Sequence, residues 1–222
     1  MANVDDPSRR RAAWVALGLA AAVLVVLTVV AGTADGPTAL DRSVTTWVAE
    51  HRSGALVSAM EVLTFAGSGV AIWSVAGVGI AIGLVRRDWG PLLIILPTAL
   101  IASFATNVLK AGLDRPRPPA GIALHDFFAS SFPSGHATTA AALWGAVAFV
   151  LVRSGRCSVR SGLVLWGSFV VVVSASRLVL GAHWLTDVVA GTAVGVACVA
   201  VAVLVADARP APGDLPPREP LD

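Results

Sequence analysis

Long apolar runs alternate with short polar segments along most of the chain. Six of these runs contain about 20 residues, which is the length that a helix needs to cross a bilayer. They lack the two-residue alternation of apolar and polar positions that marks the strands of a membrane β-barrel, so we predict helices. The predicted spans are 12–34, 62–85, 89–109, 134–152, 161–180 and 183–206. The pattern therefore predicts an all-α, polytopic membrane protein with six transmembrane helices.

The first run has two interpretations. Arg9, Arg10 and Arg11 precede it, as in a signal peptide, but its apolar stretch is longer than the usual signal core of about 7–15 residues. We therefore expect a retained span. On this basis, residues 1–11 form an N-terminal tail and 12–206 a single membrane domain. Residues 207–222 are rich in proline and charge, and we expect a disordered tail there.

A short amphipathic segment lies between the first two predicted spans. Leu40, Val44, Trp47 and Val48 follow the spacing i, i+4, i+7 and i+8, which places them on one face of a helix. Such a helix can lie flat on the outer membrane surface. It would either form a wall for a lipid substrate or connect two spans without touching a substrate.

Composition and charge agree with a membrane protein. Hydrophobic residues make up 56% of the chain and charged residues 14%, whereas about 25% of the residues of a soluble domain are charged. The net charge of +2 is too small to indicate nucleic acid. If the N-terminus is cytoplasmic, ten of the 16 basic residues fall on cytoplasmic segments and six outside. This distribution fits the positive-inside rule and predicts a plasma-membrane protein with both termini in the cytoplasm.

Ionisable residues gather at the ends of the later spans. Lys110 ends the third span, His136 opens the fourth and Arg177 nearly ends the fifth, while His183 and Asp187 open the sixth. Because successive spans cross in opposite directions, these positions share one face of the membrane, which is external by the arginine count. Ionisable groups at membrane depth are costly, so they predict a functional site.

The cations of this group predict a phosphate pocket. Lys110, Arg117 and Arg177 could surround a multiply charged anion, because guanidinium and ammonium groups bind phosphate oxygens. Ser134 and Gly135 stand where the fourth helix begins, and the free N–H groups and the helix dipole favour an anion there.

The two histidines would make such a pocket reactive. His183 and Asp187 are four residues apart on one helix face, so the carboxylate could orient the imidazole. The other ring nitrogen could then attack phosphorus and form a phosphohistidine. His136 could protonate the leaving oxygen and later activate water. Zinc on the two histidines and Asp187 is the alternative, but the neighbouring cations oppose it. We therefore expect neither a metal nor another cofactor.

Three motifs of the chain, KAGLDRPRP (110–118), PSGH (133–136) and SRLVLGAHWLTD (176–187), resemble the signature of the type 2 phosphatidic acid phosphatase family. This family shares its site with vanadium haloperoxidases. The resemblance implies an all-helical membrane phosphatase that needs no metal and acts at the outer leaflet. It also implies that His183 is the nucleophile, Asp187 its partner and His136 the acid and base. The phosphate-binding residues that it implies are Lys110, Arg117, Ser134, Gly135 and Arg177.

The implied substrates are phosphatidic acid, phosphatidylglycerol phosphate and polyprenyl diphosphates such as undecaprenyl diphosphate. The expected partners are therefore a lipid phosphate and the bilayer, without nucleic acid or an obligate protein partner. An anionic-lipid transporter or binding protein is the alternative, and a haloperoxidase holding vanadate is a third. His51, Arg115 and His125 lie outside the signature. We expect His125 to be a solvated loop residue, with a contact to a substrate headgroup as its alternative.

Overall fold

The described part of the chain is helical and contains no named strand. The computed structural model describes residues 7–33, 36–125 and 129–208. Its elements are α1 (Pro7–Thr33), α2 (Ala39–His51), α3 (Gly54–Leu63), a 3-10 helix (Thr64–Gly67), α4 (Gly69–Arg86), α5 (Gly90–Gly112), α6 (Gly135–Arg153), α7 (Val159–Val179) and α8 (Leu185–Asp207). Among the described residues, six helices are long and apolar enough to cross a membrane, namely α1 and α4 to α8. The all-α, six-span prediction is confirmed.

The second predicted span was wrong at its beginning. Residues 62–85 were expected to form one helix, but α3 ends at Leu63 and the 3-10 helix follows it. Ser68 then adopts an extended backbone and caps α4, because its side chain accepts a hydrogen bond from the N–H of Ala71. The apolar run 62–85 gives no indication of this break, because a helix cap changes the local backbone without changing the hydrophobicity of the segment.

Helices continue past both ends of the predicted membrane domain, whose bounds stay a prediction. Helix α1 already begins at Pro7, so residues 7–11 of the predicted tail are helical. Asp207, which was assigned to the C-terminal tail, is the last residue of α8. It accepts hydrogen bonds from Arg9 at 2.6 and 2.7 Å and from Arg153 at 3.0 Å. Residues 1–6 and 209–222, the rest of the two predicted tails, lie outside the described residues.

Helices α6 and α8 form the closely packed centre of the bundle. A Cβ added to Gly191 would lie 2.3 Å from the carbonyl oxygen of Ser134, and one added to Gly195 would lie 2.4 Å from the Cβ of Ala141. Only glycine therefore allows the two backbones to approach this closely. As a result the beginnings of the two helices meet, and the N–H of Ser134 donates to the carbonyl of Asp187 at 2.9 Å.

The predicted amphipathic helix is present as α2, and its buried face is partly polar. A capping box between Thr38 and Asp41 begins it. Leu40 and Trp47 are exposed, at 59% and 61%, whereas Asp41 and Thr45 are buried. The polar side of α2 thus faces α7 and α8. Whether its exposed apolar side lies on the membrane surface stays a prediction.

Candidate active site

All eight predicted site residues lie at one end of the bundle, where α5 and α7 end and α6 and α8 begin. His136 lies within electrostatic range of Arg117, Arg177 and His183. Lys110 lies within range of Arg117 and Asp187. The two histidines therefore face the same cluster of cations, as the alternation of the spans predicts.

A tight turn between α7 and α8 positions His183. Gly181 in this turn has a φ of +63°, which favours glycine, and an added Cβ would lie 2.4 Å from the carbonyl oxygen of Ile122. The N–H of Leu124 donates to the carbonyl of Leu180 at 3.2 Å. The loop that follows α5 thus holds the turn against the bundle, and His183 is buried with 3% exposure.

The imidazole of His183 lies between a guanidinium and a carboxylate. Its Nε2 is 3.4 Å from Nη1 of Arg117. Its Nδ1 is 3.6 Å from Oδ2 of Asp187, which is longer than a normal hydrogen bond. Burial lowers the pKa of His183 to about 4, although the carboxylate of Asp187 opposes that shift. The ring is therefore neutral at pH 7 and keeps a lone pair on one nitrogen.

The carboxylate of Asp187 is held on both of its oxygens. Oδ2 accepts a hydrogen bond from the N–H of Trp184 at 2.9 Å, and Oδ1 accepts one from Nη1 of Arg115. Nη2 of Arg115 also donates to Oδ2 of Asp41 at 2.9 Å. The predicted pair of His183 and Asp187 is thus present as neighbours, with the carboxylate bound more closely to Arg115 than to the imidazole.

The sequence motifs did not indicate two residues linked to Asp187, namely Arg115, which binds it, and Asp41, which binds Arg115. Arg115 was placed outside the signature, although it lies within the KAGLDRPRP motif. The sequence around Asp41 has one recognisable feature: Thr38, three residues earlier, forms the capping box of α2 with it. That feature predicts the start of a helix and gives no indication of a contact with a distant site.

The three predicted phosphate-binding cations are anchored by neutral oxygens. Nζ of Lys110 donates to the carbonyl of Ser130 at 2.5 Å, and Nη1 of Arg177 donates to the hydroxyl of Thr64 at 2.9 Å. Nη1 of Arg117 donates to the carbonyl of Ala182 at 2.7 Å, and burial lowers the pKa of Arg117. Each of these contacts orients a cation through an uncharged acceptor.

The PSGH segment forms the beginning of α6 beside these cations. Ser134 is fully buried, and its Oγ accepts a hydrogen bond from the N–H of Ala137 at 3.5 Å. Gly135 is the first residue of the helix, and the nearest atom to an added Cβ would be Cγ2 of Thr106, 3.9 Å away. The amide end of α6 therefore has room for an anion.

Two histidines outside the signature stand apart from this cluster. His51 stacks on Trp47 on the exposed side of α2, with ring centroids 4.7 Å apart. His125 is about half exposed, and its Nε2 lies 3.3 Å from Oε1 of Glu61. Within the described ranges, no group of three or more His, Cys, Asp or Glu side chains is arranged to hold a metal ion.

Two curated proteins share sequence similarity with the chain. It is 31% identical over 121 residues to phosphatidylglycerophosphatase B of Bacillus subtilis, and the matched region covers 53% of this chain and 59% of that protein. It is also 31% identical over 108 residues to lipid A 1-phosphatase of Rhizobium johnstonii, and that match covers 44% of this chain and 41% of the relative. The chain thus spans less than two thirds of either relative.

Two solved structures share its fold. A crystal structure of a transmembrane PAP2-type phosphatidylglycerolphosphate phosphatase from Bacillus subtilis superposes with a TM-score of 0.75 and 24% identity, and the match covers 84% of this chain and 93% of that one. Aquifex aeolicus LpxE matches with a TM-score of 0.61 and 19% identity, over 77% and 98% of the two chains. Together with the six helices of the described residues that are long and apolar enough to cross a membrane, this shared fold makes the chain a multi-pass membrane protein. The family model of the PAP2 superfamily matches residues 91–210, more than half of the chain, and so this protein belongs to the PAP2 superfamily.

Proposed function

We propose that this protein is a membrane phosphatase that hydrolyses phosphomonoester or diphosphate groups of lipids through a phosphohistidine intermediate. One observation carries the proposal: a buried, neutral imidazole, His183, has its Nε2 beside the guanidinium of Arg117. A binding protein needs the cations, but it has no need of a nucleophile held neutral among them. The two curated relatives are both named as phosphatases, which supports the same conclusion.

Binding comes first in the proposed reaction. Lys110, Arg117 and Arg177 bind the equatorial phosphoryl oxygens, and the hydroxyl of Ser134 and the N–H of Gly135 at the start of α6 complete the pocket. Because negative charge on these oxygens changes during phosphoryl transfer, fixed cations stabilise the transition state as well as the bound substrate.

Two chemical steps follow. Nε2 of His183 attacks phosphorus while its Nδ1–H faces Asp187, and His136 gives a proton to the leaving lipid oxygen. The product is a phosphohistidine and a lipid alcohol, or a lipid monophosphate where the substrate is a diphosphate. His136 then takes a proton from water, the hydroxide attacks the phosphohistidine, and inorganic phosphate leaves. No step in this sequence needs a metal ion.

The proposed site faces the extracytoplasmic side of the plasma membrane, with both termini in the cytoplasm. The distribution of basic residues along the chain supports this orientation. The acyl or prenyl chain stays in the bilayer while the phosphate reaches the helix ends. The substrate classes are phosphatidic acid, phosphatidylglycerol phosphate and polyprenyl diphosphates.

A substrate panel tests the proposal directly. The purified full chain in detergent is given each of the three lipid classes, and phosphate release is measured for the wild type, His183→Ala and His51→Ala. We expect turnover of at least one lipid by the wild type and by His51→Ala, and loss of turnover in His183→Ala. A His183→Ala variant with near-normal turnover would exclude the phosphohistidine route.

The same panel separates the enzyme from the alternative, an anionic-lipid transporter or binding protein. The cation cluster would serve either function. A binder would hold radiolabelled lipid phosphate without releasing phosphate, and His183→Ala would leave that binding intact. Trapping of acid-labile phosphate on the wild-type protein after rapid quenching, and its absence from His183→Ala, would favour the enzyme.

A further inference from the structure

A buried cluster of three charges lies next to His183. Its members are Asp41 from α2, Arg115 from the loop after α5, and Asp187 from the first turn of α8. The side chains of the two carboxylates are 0% exposed and that of Arg115 is 2% exposed. Burying three charges is costly, and their ion pairs and hydrogen bonds must offset that cost. We call it the Asp41–Arg115–Asp187 triad.

Hydrogen bonds join the triad to the start of α8 at several points. The hydroxyl of Thr186 accepts from Nη1 of Arg115 at 2.7 Å and lies 2.9 Å from Oδ2 of Asp41. The N–H of Thr186 donates to Oδ1 of Asp41 at 2.9 Å. Burial raises the pKa of Asp41, but the hydrogen bonds from Thr186 and Thr38 outweigh burial and hold that pKa below its ordinary value. Asp41 is therefore ionised at pH 7.

We propose that Arg115 and Asp41 are positioning residues of the active site, which orient the carboxylate of Asp187 and set how strongly it attracts the proton of His183. The proposal rests on the proposed phosphatase function. Arg115 binds Oδ1 of Asp187, and the N–H of Trp184 binds Oδ2. Both oxygens of Asp187 are therefore held, and Oδ2 lies 3.6 Å from Nδ1 of His183.

The charge of the triad explains why two residues are needed. One guanidinium between two carboxylates has a formal net charge of −1, so the triad still favours an imidazolium at His183 as the transition state forms. Arg115 with Asp187 alone would be neutral and would favour it less. Asp41 also lies outside residues 91–210, the part that the family model matches. Helix α2 thus adds a charge that the matched region does not contain.

The first test changes Arg115. We expect Arg115→Met to lower kcat at least about 100-fold, because Asp187 loses the hydrogen bond that holds its Oδ1 and orients the carboxylate toward His183. Inhibition by inorganic phosphate should change less than about threefold, because the phosphate-binding cations remain. Arg115→Lys should recover part of the lost kcat. The matched control is Arg42→Met, at an exposed arginine of α2 whose Nη1 donates to the carbonyl of Pro37.

The second test changes Asp41 and does not depend on turnover. Histidine-selective ¹⁵N labelling resolves the four histidines of the chain, so the His183 imidazole can be titrated by NMR in the protein without substrate. Asp41→Asn should move the pKa of His183 downward by about half a unit or more, because a nearby negative charge is lost. Glu50→Gln removes an exposed carboxylate from the same helix and should leave that pKa unchanged.

The outcomes separate this inference from the proposed function. If the wild type releases phosphate from no lipid, the function fails, while the titration still tests the triad. If the wild type is active and the Arg115 and Asp41 variants match Arg42→Met and Glu50→Gln in kcat and in pKa, the triad has only a structural role and the inference is overturned. If Arg115→Met does not fold, the Asp41→Asn titration and the Arg115→Lys kinetics decide.

Discussion

Helix α8 has a buried carboxylate near each end, Asp187 in its first turn and Asp207 as its last residue. Both side chains are 0% exposed, and both are paired with arginines that are distant in sequence. Asp207 binds Arg9 and Arg153, whose side chains are 23% and 31% exposed. Asp187 binds one arginine, which is buried and shared with Asp41.

The difference between the two ends lies in what the carboxylate faces. Both oxygens of Asp207 are bound by arginine, at 2.6 to 3.0 Å. Asp187 keeps Oδ2 within 3.6 Å of a neutral imidazole. A buried ion pair therefore does not by itself indicate a site. A stronger indication of a functional site is a carboxylate oxygen, here Oδ2 of Asp187, that lies near a histidine ring surrounded by cations. Variants at the two ends of α8 test that distinction.

Neutralising the two carboxylates, one at a time, should produce the largest difference in kcat between the two ends of α8. We expect Asp187→Asn to lower kcat by roughly 10³–10⁴-fold, as when the orienting carboxylate of a catalytic histidine becomes an amide. Asp207→Asn should leave kcat within about threefold of the wild type and lower the Tm, because it acts on stability alone. Phosphate release and thermal unfolding of both variants in detergent provide the comparison. Equal losses of kcat would contradict the distinction.

Replacing an arginine by lysine at each end of α8 should produce a smaller difference, measured in kcat/KM. Arg177→Lys is expected to reduce kcat/KM by about 10–100-fold, because lysine lacks the planar fork that binds two phosphate oxygens. The matched variant Arg153→Lys, at the Asp207 end, should stay near wild-type activity. Steady-state kinetics on the best lipid of the panel measure both, and near-normal kcat/KM for Arg177→Lys would argue against direct contact with phosphate.

Acid should destabilise the Asp187 end through His183. The pKa of His183 is about 4 in the folded chain and lies below the ordinary value of 6.5. Between these two values the imidazole is protonated in the unfolded chain and neutral in the folded chain. Stability due to His183 is thus present above pH 6.5 and is lost as the pH falls toward 4. Between pH 7.5 and 5 the loss should be about 2 kcal/mol. Thermal unfolding of the wild type at both pH values should show a larger fall in Tm than that of His183→Gln.

Loosening the Asp207 end should affect stability alone. Arg9→Ala removes the two hydrogen bonds from α1 and leaves Arg153 to pair with Asp207. We expect the free energy of unfolding to fall by about 1 kcal/mol, with phosphate release unchanged. Denaturant titration and the lipid assay test this pair of outcomes, and a large loss of activity would show that this end also serves the chemistry.

Removing divalent metal should have the smallest effect at either end. The proposed mechanism uses cationic side chains and two histidines, so excess EDTA should leave phosphate release within the error of the assay. Loss of activity that a divalent ion restores would contradict the metal-free mechanism. A heat-inactivated sample with the same additions controls for non-enzymatic release.

The clustering of the candidate site residues could be predicted because their motifs are local. Lys110, His136, Arg177 and His183 lie at the ends of apolar runs, and the alternating direction of the spans is enough to place those ends on one side of the bundle. The break at Ser68 was not predictable in this way, because a helix cap interrupts the backbone without changing hydrophobicity. The same holds for the start of α1, which extends into the charged residues that pair with Asp207.

The sequence by itself determined the class of the molecule and the residues of its candidate site, because span length, motif spacing and residue chemistry can all be read within short windows. Only the tertiary structure decided which groups hold Asp187. Arg115 is 72 residues from Asp187, and Asp41 is 74 residues from Arg115. Pairing at such separations depends on how α2, the loop after α5 and the start of α8 pack together, and no local pattern records that packing.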